Sequence, residues 1–392
     1  MLDNEFLPIV KCHFFIFFNP YSGNRQGQQM KEYAGQYIRM KKDPKVMIQM
    51  FDITDADDAN KGFQLFNQLL EGAQRDHRFI LCSAGGDGTF VGIIDNLAQM
   101  NVELFDSRLF FTVLGYGTGN DLSQSMGWGR LIPCAETSTF DGLATHLHKR
   151  ITGIEDYMDL WKVTVVPRTG GYVEKAAPKR KRVRLNGEFT RLMANYITLG
   201  LQGVVGTGFE QKRRGSRLLN VFEYAKQCFL RGVVNHVERV PEYLDKFHHN
   251  GITYEVNMDR RRCRRMVEIV FQNLPGIWGR KMKLWDVCAP SDTVLLPNAG
   301  GADSSQWHKS RMQDGKLDVY GMRTRTDYLF KQFSPYCRGS SLNRFGQFSG
   351  PIKIDFLPET KFHMMLDGEF YTMYDIQHIL IEEKTKIRIL RG

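Results

Sequence analysis

Gly85-Gly86-Asp87-Gly88-Thr89 sets one aspartate among three glycines, and its residue types point to phosphate chemistry. Glycines leave a backbone without side-chain obstruction, free to take φ > 0 and to bring N–H groups close to an anion. Thr89 is expected to cap the helix that follows, whose N-terminus also favours phosphate. A carboxylate would repel that phosphate, so Asp87 makes sense if Mg²⁺ stands between them or if Asp87 accepts a proton. Two further loops share this character, Asn19-Pro20-Tyr21-Ser22-Gly23 and Gly117-Thr118-Gly119-Asn120. Asp367-Gly368-Glu369 offers a second candidate acid, although on residues alone Asp-Gly after a strand reads as a plain β-turn. Asp314 and Asp318, at the start of a strand, read as a turn aspartate and a solvent-facing one.

The elements that must position these loops follow from the apolar pattern. Residues 12–18, 46–51, 79–82 and 110–114 are apolar runs without alternation, which predicts strands buried on both faces. Helical spacing lies between them: after the Asn19 loop to about residue 40, from the acids Asp55, Asp57 and Asp58 to Leu70, and from Phe90 to Met100. Strand and helix in alternation predict an α/β fold, an N-terminal doubly wound parallel sheet. In such sheets the ligand crevice lies at the carboxyl ends of the strands, so the three glycine loops should meet there. After about Arg150 short strands dominate, near residues 158–166, 195–201, 267–271, 317–322, 352–356, 362–366 and 386–390. This predicts domains at 1–150 and 151–392, the second β-rich and sandwich-like. Residues 218–230 are its best helix.

Composition narrows the class. With 42% hydrophobic and 24% charged residues the chain is not globally disordered. A net charge of +10 calls for an acidic partner. Basic residues gather at Lys175, Lys179, Arg180, Lys181, Arg182 and Arg184 in what reads as a flexible loop. Further clusters are Lys212, Arg213, Arg214 and Arg217, and residues 260–265. The loop is expected either to contact anionic lipid or, through Lys179 to Arg184, to act as a nuclear signal; a solvated charged loop is the plain alternative. Seven scattered cysteines without metal-ligand spacing predict reduced thiols, hence a cytoplasmic or nuclear setting. No apolar run is long enough to span a bilayer, so membrane association is expected to be peripheral.

Taken together, the motifs resemble the diacylglycerol kinase family. The resemblance rests on the three glycine loops and on Trp128-Gly129. It continues through Asp159-Leu160-Trp161-Lys162-Val163, Asn195-Tyr196-Ile197-Thr198-Leu199-Gly200 and Gly208-Phe209-Glu210. Ser216-Arg217-Leu218-Leu219-Asn220 with Tyr224, Asn273-Leu274-Pro275, Asp314-Gly315-Lys316-Leu317-Asp318 and Asp367-Gly368-Glu369 complete it. It implies a catalytic and an accessory domain, and phosphorylation of diacylglycerol to phosphatidic acid with ATP and Mg²⁺ in the cleft between them. The ATP-binding residues would be Asn19, Ser22, Gly23, Gly85, Gly86, Gly88, Thr89, Gly117, Thr118, Gly119 and Asn120. Asp367 would be the base and Asp87 the nucleotide and Mg²⁺ residue. Asp314 and Asp318 would hold a second, structural Mg²⁺. Departures are Gly115-Tyr116, where the family has Pro-Leu, and Gln202, where it has an acid. No Cys/His array for a zinc-binding lipid module is seen, and nucleic acid is not expected as a partner. A sphingosine or ceramide kinase, or an inactive basic membrane-binding relative, are the alternatives. Oligomeric state, acyl-chain preference and regulation are not legible.

Overall fold

The computed structural model describes residues 9–23, 25–179, 181–213, 217–231, 237–255, 264–279, 283–287, 304–333 and 342–392. Arg180, Arg214, Ser216, the basic residues 260–263 and Cys263, Cys288 and Cys337 lie outside them. Packing separates two compact units, Met1–Met158 with Lys386–Gly392, and Asp159–Thr385.

The first unit runs β1 (Cys12–Phe18), a 3₁₀ turn (Gln26–Tyr33), β2 (Ile38–Arg39), β3 (Val46–Asp52), α1 (Ala56–Gly72), β4 (Arg78–Gly85), α2 (Asp87–Gln99), β5 (Leu109–Gly115), α3 (Asp121–Ser125) and α4 (Phe140–Ile151). Strands β3, β1, β4 and β5 lie side by side in parallel, with β2 antiparallel on the β3 edge. Phe14, Phe15, Ile16, Phe17 and Phe18 are all buried, which explains the absence of alternation: both faces of β1 are covered. Asp55 caps α1 by accepting the Asp57 and Asp58 N–H groups, and Phe63, Phe66 and Leu70 form its inner stripe. The registers Phe18↔Ala84 and Gly85↔Gly115 bring the ends of β1, β4 and β5 level.

Three expectations need correction here. The stretch after the Asn19 loop is not a helix to residue 40; a single 3₁₀ segment gives way to β2. Gly27 and Gly35 interrupt it, and glycine is a poor helix former. Thr89 does not cap α2. Gly86 is the N-cap, and the Thr89 side chain lies back over Gly85, where an added Cβ would collide with it. The segment at residues 386–390 packs with the first unit, with Ile389 pairing Phe111 in parallel and Trp128 Nε1 donating to the Leu390 carbonyl at 2.9 Å.

The second unit is sheet-rich. It comprises β6 (Ile154–Ala176, which begins in the first unit), β7 (Arg182–Asn186), β8 (Phe189–Met193), β9 (Tyr196–Gly200), α5 (Leu201–Glu210), α6 (Arg217–Phe229), β10 (Leu244–His249), β11 (Ile252–Glu255), β12 (Glu268–Gln272), α7 (Leu284–Val287), β13 (Leu317–Met322), α8 (Arg325–Phe333), β14 (Leu342–Phe348), β15 (Ile352–Phe356), β16 (Lys361–Leu366) and β17 (Glu369–Arg391). β16, β9, β12, β13 and β14 are antiparallel neighbours in that order. Their alternation sorts two cores: Ile197, Ile269, Phe271 and Val319 on one face, Tyr196, Val270, Tyr320 and Met322 on the other with α5 and α8.

The basic stretch at residues 170–184 is not a flexible loop but a hairpin. β6 pairs with β7 from Tyr172↔Asn186 to Ala176↔Arg182. Lys175 Nζ meets Glu369 at 2.5 Å and Arg182 meets Glu174 at 2.8 Å. Alternation was there to be read, but repeated lysine and arginine masked it.

Candidate active site

At the carboxyl ends of β1, β4 and β5 the backbones of three loops touch. The Gly85 carbonyl accepts the N–H groups of Tyr116 (2.9 Å) and Gly117 (3.0 Å), and Asn19 N–H donates to Ala84 at 2.9 Å. A Cβ on Gly117 would stand 2.5 Å from the Gly86 Cα, and one on Gly23, at φ +43°, would collide with the Tyr116 carbonyl. These glycines let three turns lie against one another. The structure thus brings together Asn19, Ser22, Gly23, Gly85, Gly86, Gly88, Thr89, Gly117 and Asn120. It gives them different work. Asn19 Oδ1 accepts the Tyr21 N–H at 2.9 Å and shapes its own turn. Asn120 is buried and braces the third loop, its Nδ2 donating to the carbonyls of Gly115, Gly117 and Arg130.

Asp87 sits in the first turn of α2, where its Oδ2 accepts the Asp121 N–H at 3.0 Å and its Oδ1 the Leu122 N–H at 3.1 Å. It therefore caps α3 from a distance and ties the third loop to the second. This accounts for a carboxylate beside a phosphate cradle. Burial pushes its pKa up, and the Leu122 and Asp121 N–H groups pull it down. α2 has no side-chain cap of its own, and nothing crowds Gly88. A helix of 13 residues with an uncapped N-terminus, at a position without a side chain, is fit to receive phosphate oxygens. Residues the sequence reading missed complete the brace: Ser123 Oγ donates to Gly129 (2.8 Å) and Gln124 Nε2 to Gly119 (3.2 Å).

In the second unit Asp367 occupies the tight turn between β16 and β17, at φ +47°, with Gly368 at φ +84°. The turn reading is right, and yet the side chain is buried. Oδ2 accepts the Ala194 N–H at 2.6 Å, and Oδ1 accepts those of Asn195 and Tyr196, both at 2.9 Å. Neighbouring Glu369 binds Lys175, Arg191 (3.2 Å) and the Tyr371 hydroxyl (2.5 Å). Those cations hold its carboxyl below the ordinary range against the effect of burial.

Asp318 is buried with Gln347 Nε2 at 2.7 Å, and burial pushes its pKa up to about 7. Asp314 accepts the Lys316 N–H at 3.1 Å and faces His308 at 3.5 Å. Asp159 and Asp286 are close enough to add repulsion. Among the described residues no three His, Cys, Asp or Glu groups are arranged to hold a metal ion. A nucleotide-borne Mg²⁺, which keeps waters and phosphate oxygens as ligands, needs only one or two protein carboxylates.

Glu268, at the start of β12, was not singled out by sequence. Its Oε2 accepts the Gln202 N–H at 2.7 Å, and the Thr198 hydroxyl lies beside the buried carboxyl. The Gln202 amide is taken by Tyr224 at 2.9 Å and by Tyr328. Burial raises the Glu268 pKa to about 8, against the Gln202 N–H and the Thr198 hydroxyl, which lower it. Because the folded value exceeds the unfolded one, the folded chain keeps a proton that the unfolded chain sheds. Stability therefore falls as pH rises from about 4.5 to about 8, with a cost on the order of 5 kcal/mol once both states are ionised. Glu268→Gln should abolish this component. The melting temperature of the variant relative to the parent should climb between pH 5 and pH 8.5. A difference that stays constant with pH would show that Glu268 is ionised throughout.

Comparison with known proteins gives the following. Residues 13–151 match the family model described as the diacylglycerol kinase catalytic domain, and residues 192–370 match the diacylglycerol kinase accessory domain. Diacylglycerol kinase theta of Homo sapiens is 25% identical over 323 residues, which is 81% of this chain and 29% of that protein. Diacylglycerol kinase 4 of Arabidopsis thaliana is 25% identical over 240 residues, 54% of this chain and 46% of that one. The chain thus spans less than half the length of these relatives. A solved Bacillus anthracis structure, described as a candidate diacylglycerol kinase, superposes with a TM-score of 0.51 at 16% identity over 97% of both chains. At that identity it speaks for the fold alone.

Proposed function

Since the chain belongs to the diacylglycerol kinase family, with both of its domains present in order, we propose that it phosphorylates the free hydroxyl of diacylglycerol with ATP, giving phosphatidic acid and ADP. The observation that carries the reading is the uncapped, glycine-lined N-terminus of α2, inside the segment that matches the catalytic domain. Phosphoryl transfer asks the protein to hold phosphates, neutralise charge and align the acceptor. The Gly85–Gly88 turn offers N–H groups for the phosphates. Asn19, Ser22 and Gly23 shape one wall, and Gly117, Thr118 and Gly119, held by Asn120 and Asp87, shape the other. Mg²⁺ on the phosphates would supply charge neutralisation, with Asp87 as its protein ligand. Asp367 is the proposed base: the acceptor oxygen attacks the γ-phosphorus, the bond to the β,γ-bridging oxygen breaks, and the hydroxyl proton passes to the carboxylate. Its three N–H bonds from residues 194–196 hold the carboxylate in one orientation.

The test offers radiolabelled ATP and Mg²⁺ with diacylglycerol, sphingosine or ceramide singly in vesicles. Labelled phosphatidic acid is expected. Label on sphingosine or ceramide alone, or on none of the three, overturns the assignment. No described helix is long and apolar enough to cross a membrane; because the proposed substrate is bilayer-resident, the proposed working place is the surface of an anionic membrane.

A further inference from the structure

Helix α6 is packed with its polarity reversed. Its inner stripe is Asn220, Glu223, Tyr224, Gln227 and Cys228, of which Asn220, Glu223 and Gln227 are fully polar and Tyr224 carries a hydroxyl. These residues are satisfied inside the unit: Gln227 Nε2 donates to Glu223 at 2.6 Å, Arg231 donates to Gln227 at 3.1 Å, and Tyr224 pairs with Gln202. The outer stripe carries the large apolar residues. Leu219, Val221, Phe222 and Phe229 are 45%, 47%, 72% and 61% exposed. Leu219, Phe222 and Phe229, with Lys226, follow helical spacing along one line. Phe330 of α8 is also outward, 59% exposed, and that helix is joined to α6 through the Tyr224 and Tyr328 hydroxyls at 3.5 Å. Scattered apolar residues on a surface need no explanation, but a run of them on one helix, with polar residues turned inward, marks an interaction face.

We propose that the outer face of α6 is a docking surface for an anionic lipid bilayer. Charge selects this occupant. Lys226 stands within the stripe, Lys212 is exposed just ahead of the helix beside Arg213, which pairs with Glu210 at 3.3 Å, and none of the exposed residues described on α6 is acidic. The chain as a whole carries +10. Phenylalanine and leucine seated at the acyl boundary, with lysine and arginine at headgroup level, is how a helix lies in a membrane interface. Here the protein itself covers the polar side of the helix. The proposal rests on the lipid-kinase reading only in that diacylglycerol must be met in a bilayer.

The experiment sediments the full chain, without ATP, with phosphatidylcholine vesicles and with vesicles containing phosphatidylserine. The parent should prefer the anionic vesicles. A triple variant, Leu219→Ser, Phe222→Ser and Phe229→Ser, should lose roughly tenfold or more of that binding, while its melting temperature and its turnover of a water-dispersed short-chain diacylglycerol stay unchanged. Lys226→Glu should weaken binding to anionic vesicles about fivefold and leave neutral vesicles unaffected. The proposal falls if the triple variant binds like the parent or if the parent ignores both vesicles. It also falls if the parent is a dimer that the variant takes apart, for then the stripe covers a second copy. Loss of vesicle binding in a chain that phosphorylates no diacylglycerol would uphold the docking face and remove the substrate reading instead.

Discussion

Asp87→Asn is expected to raise the KM for ATP roughly ten- to hundredfold and to leave kcat within a few-fold of the parent. The carboxylate accepts one N–H on each oxygen, from Asp121 and from Leu122. Asparagine offers one carbonyl oxygen, and its amide nitrogen then faces the second N–H donor to donor. Leaving a buried donor unpaired costs about 1–3 kcal/mol, and each 1.4 kcal/mol is tenfold in an equilibrium. The cost falls on the tie between the Gly85–Gly88 turn and the loop at residues 117–122, which shapes the nucleotide site, so binding suffers before chemistry does. A base, or a metal ligand acting only in the transition state, would behave the other way, losing 10²-fold or more in kcat at little change in KM. Steady-state kinetics at varied ATP, with ATP affinity checked by equilibrium titration, separates the two. A kcat loss of that size with unchanged ATP affinity would refute the bracing role.

The parallel sheet and the meeting of the glycine loops were legible because both are local statements. An apolar run without alternation says that both strand faces are covered, and glycine after such a run says that backbones meet closely. The work of individual side chains was not legible. Asn120 and Asp87 look like ligand residues in sequence; that they also brace loops is not visible there, because their partners, Arg130 and Leu122, lie 10 and 35 residues away. The burial of Glu268 depends on β9 and on Tyr224 and Tyr328, which no spacing around residue 268 reveals. Helical period located α6 but could not say which stripe turns inward, and the default of apolar inside fails there. The hairpin at β6 and β7 was missed for a related reason: Lys175 and Arg182 are held by Glu369 and Glu174, from strand β17 and from β6 itself.

For Asp367→Asn the expected loss is in kcat, roughly 10²- to 10⁴-fold, the usual worth of a positioned general base, with KM for ATP little changed. Asp367 also holds the turn at residues 194–196 through three N–H bonds, so the variant will be less stable as well, by about 1–3 kcal/mol. Stability alone therefore cannot decide its role, and the assay belongs well below the variant's melting temperature, where the folded fraction is complete. The pH profile then discriminates. If Asp367 takes the hydroxyl proton, kcat of the parent declines on the acid side as the carboxylate is protonated, and the residual activity of the asparagine variant loses that limb. If the aspartate only holds the turn, the variant is slower by a factor that does not change with pH, and its acid limb remains. A variant within tenfold of the parent at every pH would leave Asp367 as a turn residue and send the search for the base to another carboxylate.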